Sequence, residues 1–115
     1  MANMETVEFT DALCKYLVEK KALDVVKIPV GEKSVLADYF IIASGRSSTQ
    51  VRSICENADE FASSLGRTPK RSEGIAEGRW AVLDFGDVIL HVFDDENRLF
   101  YHLERLWGEG EKITE

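Results

Sequence analysis

Phe9, Ala12, Leu13, Tyr16 and Leu17 recur at intervals of three and four, the spacing that lines one face of a helix. An amphipathic helix over Thr6 to Lys21 is therefore expected. Leu23 to Val30 is rich in β-branched residues and sets Val26, Ile28 and Val30 on one alternating face, which predicts a strand closed by Pro29-Val30-Gly31. The unbroken run Tyr39-Phe40-Ile41-Ile42-Ala43 predicts a second strand, covered on both faces and ending at Ser44-Gly45. Ser47-Ser48-Thr49-Gln50 offers a capping box for a helix whose stripe is Val51, Ile54, Cys55, Ala58, Phe61, Ala62 and Leu65. Gly66 stops that helix where a left-handed cap needs a residue without Cβ. Arg67 to Arg79, with Pro69, Gly74 and Gly78, reads as a connection holding at most a short edge strand.

Two apolar runs follow, Trp80 to Phe85 and Val88 to Phe93, with Gly86-Asp87 between them as a hairpin signal. Asp94 or Asp95 then caps a last helix over about Glu96 to Trp107, and Gly108 and Gly110 release a polar tail, residues 108–115. The order α-β-β-α-(β)-β-β-α, without repeats or an interdomain linker, predicts a single α/β domain: a mixed β-sheet flanked by helices.

A chain of 115 residues builds one core and has little to spare for a deep cavity, so a modest site or a flat surface is expected. The formal charge of −7 disfavours DNA and leaves little direct RNA contact, because nucleic-acid affinity comes largely from Lys and Arg neutralising phosphates. A basic protein is the better partner, since opposite fields speed encounter. Cys14 and Cys55 lie far apart with no CxxC or Cys/His cluster, so neither a disulfide framework, a metal site nor a cofactor is signalled. With no basic-then-apolar leader in Met1 to Thr10 and no spanning run, a cytoplasmic, bacterial protein is expected.

The residues left over once the core is filled are aromatic. In the last helix Leu99, Phe100, Leu103, Leu106 and Trp107 share one stripe, whereas Tyr101 points about 160° from its centre. It is a scattered surface tyrosine, one covered by a neighbouring loop, or part of a contact. Trp80, directly after Gly78-Arg79, stands either at the rim of the sheet or in the core. Phe85, at the hairpin turn, is poised for exposure. Tyr and Trp dominate interface hot spots, so these rings make a candidate patch for a partner or for a weak homodimer.

Signals for catalysis are weaker. Ser44-Gly45-Arg46-Ser47-Ser48 joins a strand to a helix N-terminus, where Gly45 and Ser47 could cradle a phosphate, but it lacks a P-loop's GK[ST] ending. Asp84 and Asp87 at the hairpin turn, and Asp94-Asp95 at a helix start, could hold magnesium for nucleotidyl or phosphoryl transfer, yet turns and caps ordinarily use aspartate. His91, between Leu90 and Val92, reads as a hydrogen-bonded sheet histidine, and no serine or cysteine sits in an activated-nucleophile context.

Taken together, Ala37-Asp38-Tyr39-Phe40-Ile41-Ile42-Ala43-Ser44-Gly45, Ser47-Ser48 with Val51, Glu73-Gly74, Trp80 through Phe93 and Arg98 through Trp107 resemble the ribosomal silencing factor family, also called Iojap-like. The resemblance runs from about Val7 to Trp107. It implies a fold similar to a nucleotidyltransferase core, with the turn at Gly45 and Ser47 as inherited architecture. It also implies a non-enzymatic factor that binds ribosomal protein number fourteen on the large ribosomal subunit. Bound there, the factor would block joining of the small subunit and repress translation, or else assist late large-subunit assembly. The family's docking residues correspond to Trp80, Phe85 and Tyr101, with Phe85 standing where relatives often carry leucine.

Overall fold

The computed structural model describes residues 4–31, 37–94 and 111–112. Helix α1 (Met4–Glu19) leads into β1 (Leu23–Pro29), β2 (Tyr39–Gly45) and helix α2 (Ser48–Ser64), followed by β3 (Arg71–Glu73), β4 (Trp80–Asp84), β5 (Val88–Asp94) and β6 (Glu111–Lys112). The strands form one six-stranded sheet in the order β3-β4-β5-β2-β1-β6. Among the described strands only the central β2–β5 pair is parallel; every other neighbouring pair is antiparallel. The mixed sheet expected from the hydrophobic pattern is present.

Two apolar clusters explain why the strands read as they do. On one face Phe9, Leu13 and Leu17 of α1 and Val51, Ile54, Cys55, Ala58 and Ala62 of α2 meet Ile41, Ala43, Leu83, Leu90 and Val92 of the sheet. On the other, Val26, Ile28, Val30, Phe40, Ile42 and Phe93 pack together. The alternating residues of β2 and β5 are thus apolar toward both sides, as strands buried on both faces require. Cys14 and Cys55 are both buried thiols outside any disulfide. Burial pushes the Cys55 thiol up to about 12, as befits a cysteine used for packing.

The ends of α2 follow from local chemistry. The Ser47 hydroxyl accepts a hydrogen bond from the Gln50 amide at 3.1 Å, while the Gln50 side chain accepts from the Arg46 amide at 2.6 Å, one residue earlier than in a standard capping box. At the other end Gly66 has φ +80, the Gly66 amide bonds the Ser63 carbonyl and the Arg67 amide bonds the Ala62 carbonyl, which together make a Schellman cap. Leu65, expected in the apolar stripe, is instead 51 % exposed, because the helix has ended and the chain turns away.

Arg67 fastens three parts of the fold. Its guanidinium stacks 4.4 Å from the Phe9 ring of α1 and makes a two-pronged bond to Asp87 in the β4–β5 turn, at 2.6 and 3.0 Å. The Thr6 hydroxyl donates to the same carboxylate. Burial alone would raise the Asp87 carboxyl, but the hydrogen bonds from Arg67 and Thr6 and the Arg67 charge outweigh it and hold the group below its ordinary value. Arg67→Met is expected to lower stability by about 2 kcal/mol in urea unfolding, since it strands a half-buried carboxylate whose bonds were charge-assisted.

One expectation changes. Residues 111–112 of the expected free tail pair with β1, Val26 opposite Lys112, and so extend the sheet at its edge. The polar residues there pair through their backbone, which side-chain pattern does not reveal. The helix expected over Glu96 to Trp107 lies outside the described residues, and Tyr101 with it.

Candidate docking surface

The chain reaches Trp80 through a tight turn. The Gly78 amide bonds the Gly74 carbonyl at 3.1 Å, and Arg52 of α2 donates to the Ala76 carbonyl at 3.1 Å. Gly74 has φ +76, and a Cβ there would stand 2.1 Å from the Trp80 carbonyl oxygen. Only glycine lets the backbone double back so closely on the start of β4. β3 pairs with residues 82–84 of β4, so Trp80 extends beyond the end of that pairing at the rim of the sheet.

The Trp80 ring is 45 % exposed, one of two exposed large apolar side chains among the described residues. Of the two positions its sequence context allowed, the rim is the one it takes. Its inner side stacks on Phe93 across the β4–β5 pair, with centroids 5.4 Å apart and planes 27° apart. Its indole Nε1 donates to Nδ1 of His91 at 3.1 Å. Indole N–H is a donor only, so Nδ1 must be the unprotonated nitrogen and the proton of the neutral imidazole sits on Nε2. His91 is buried, lies edge-on to Phe40 at 4.9 Å and is driven down to about 4 by desolvation. The expected hydrogen-bonded sheet histidine is what the structure contains; its link to Trp80 was not legible from spacing alone.

That depression has a consequence for acid stability. Both states hold His91 neutral above its ordinary value of 6.5, but as pH falls toward 4 the unfolded chain takes up a proton that the folded one refuses. Stability present above pH 6.5 is lost progressively down to about pH 4, by roughly 3 kcal/mol in total from this group. Denaturant midpoints at pH 7 and 4.5 should therefore converge in His91→Asn relative to the parent protein.

Phe85 needs correcting. It is only 5 % exposed, and its ring packs edge-on against Phe9 at 5.3 Å with an interplanar angle of 74°. The two-residue Gly86-Asp87 turn directs the ring inward onto α1, because the side chain before the turn belongs to the helix-covered face along with Leu83. It supports the hairpin from beneath.

The turn at Gly45 and Ser47 is not brought together with Asp84 and Asp87. Gly45 ends β2 opposite Asp94, whereas Tyr39, at the start of β2, is opposite Val88, next to Asp87. The two features lie at opposite ends of the central strands, about 20 Å apart at ~3.3 Å per residue. Asp87 is engaged by Arg67 and Thr6, Asp84 accepts the Gly86 amide, and the Ser47 hydroxyl caps its own helix. No group of His, Cys, Asp and Glu suited to a metal ion occurs among the described residues.

The family described as "Ribosomal silencing factor during starvation" matches residues 3–115. The chain belongs to the ribosomal silencing factor family. Within it, the chain is 44 % identical over 97 residues to "Ribosomal silencing factor RsfS" of Zymomonas mobilis, covering 84 % of this chain and 72 % of that protein. It is 39 % identical over 113 residues to the protein of the same name from Halalkalibacterium halodurans, covering 98 % and 94 %. Its fold superposes with a TM-score of 0.86 on a crystal structure from Chromobacterium violaceum, at 29 % identity, covering 92 % of this chain and 88 % of that one. As a ribosomal silencing factor family member the chain keeps the α/β architecture expected from its sequence. No helix among its described residues is long and apolar enough to cross a membrane.

Proposed function

We propose that this chain silences translation by docking on the large ribosomal subunit through ribosomal protein number fourteen, in the cytoplasm, and sterically excluding the small subunit. The observation that carries this reading is the Trp80 indole, held half-exposed at the sheet rim against Phe93 and His91 in a chain of the ribosomal silencing factor family. An ordered ring with one wet side and a polar handle is what an interface anchor needs. The chain's net charge of −7 complements a basic ribosomal protein and disfavours a dock made on RNA phosphates.

In this mechanism Trp80 and Tyr101 make the contact and Phe85 contributes by fixing the hairpin behind it. No reaction is required: occupancy of the joining face is the activity. The separation of Gly45 and Ser47 from Asp84 and Asp87 supports a binding role over group transfer. Titration of purified ribosomal protein number fourteen tests the partner. Saturable binding that Tyr101→Ala weakens by about 2 kcal/mol, with unchanged thermal unfolding, is expected. Unchanged affinity in that variant would remove Tyr101 from the dock.

A further inference from the structure

We infer that His91 is a positioning residue whose Nδ1 fixes the orientation of the Trp80 indole and so presents its outer edge to the partner. This rests on the docking reading above. Three observations converge. The first is the 3.1 Å bond itself, between a side chain that is only 8 % exposed and one that is 45 % exposed, reaching across neighbouring strands. The second is that the other imidazole nitrogen, Nε2, is buried with no hydrogen-bond partner. A buried donor left unsatisfied is a cost that an apolar residue in the same sheet position would avoid. Packing therefore gives no reason for histidine between Leu90 and Val92; the acceptor offered to Trp80 does. The third is that Trp80 lies beyond the β3–β4 pairing, beside the backbone of Gly74, which has no side chain to hold the ring. Among the described residues the Phe93 stack and the His91 bond restrain the ring from the sheet, and a stack alone leaves it free to slide and turn in its plane. An indole restrained before contact loses less freedom on binding, so affinity is gained without a new contact.

The geometry separates a positioning role from a structural one, because its loss should weaken binding without weakening the fold. His91→Leu removes the acceptor and the orphaned nitrogen together; His91→Asn returns an amide oxygen close to the place of Nδ1. The readouts are the Trp80 indole ¹H–¹⁵N resonance of the isolated protein, assigned by its absence in Trp80→Phe, and affinity for purified large subunits. In His91→Leu the indole resonance should shift and exchange faster with solvent, and affinity should fall about tenfold while the unfolding midpoint holds or rises. His91→Asn should restore both to within about threefold of the parent. If His91→Leu does not fold, His91→Asn against His91→Gln makes the same comparison, because the longer side chain carries its amide beyond the Nδ1 position. An unshifted indole resonance in the acceptor-free variant would overturn the inference. So would a released indole with unchanged affinity in a background where Trp80→Ala does weaken binding. If Trp80→Ala itself leaves binding intact, the docking reading has failed and the inference falls with it, a result told apart by an indole resonance that still responds to His91.

Discussion

Phe85→Ala is expected to lower the stability of the fold by about 3 to 5 kcal/mol and its melting temperature by roughly 12 °C or more. The ring is almost fully buried, meets Phe9 of α1 edge-on and sits in the cluster that joins both helices to the sheet. Its removal leaves a cavity bounded by a helix on one side and a two-residue turn on the other. The Asp87 end of that turn is held by Arg67 and Thr6, so the site cannot simply collapse. Affinity per folded molecule for the large subunit should stay close to that of the parent, measured well below the lowered melting temperature. A variant that kept its stability but lost binding would show that Phe85 touches the partner after all.

Trp80→Ala should give the opposite pair of results. Affinity for the large subunit is expected to fall by about 2 kcal/mol or more, a factor of roughly thirty, because a half-exposed indole at the centre of a contact buries large apolar area on binding. Stability should change by only about 1 kcal/mol, since the stack on Phe93 and the bond to His91 are lost while the ring's outer half was never covered. The measurement is co-sedimentation over a concentration series, paired with urea unfolding of the same preparation. The two aromatic residues, a few positions apart on the same hairpin, thus separate support from contact.

Much of the fold was legible because the local signals agree with the packing. The stripe of α2, its Ser47 cap and its Gly66 stop all follow from residue chemistry that acts within one or two turns. Val26, Ile28 and Val30 fall on one face of β1 as their alternation implied, and β2 is covered on both sides as its continuous apolar run implied. What was not legible depended on contacts distant in sequence. Phe85 read as exposed because a turn neighbours it, but which side of the sheet α1 covers decides its burial. The β6 pairing involves backbone groups whose side chains carry no pattern. That Asp84 and Asp87 stand at the opposite end of the central strands from the Gly45 turn follows from the parallel register of β2 and β5, which spacing along the chain does not reveal.

The Trp80–His91 pair shows the same limit at the candidate site. Each residue was singled out, the tryptophan for its position and the histidine for its apolar surroundings, yet the antiparallel register that sets Val82 opposite His91 is what brings the indole within reach. A side chain at one position can meet the diagonal neighbour on the same face of the adjoining strand, and long aromatic side chains span that separation.

The most direct measurement is to add purified protein to isolated large subunits, pellet them, and then follow small-subunit joining by light scattering. Stoichiometric co-sedimentation with the large subunit, a matching loss of joining, and modest salt dependence are expected, because protein contacts dominate. Joining that proceeds at the parent rate on large subunits saturated with the protein would contradict the steric mechanism.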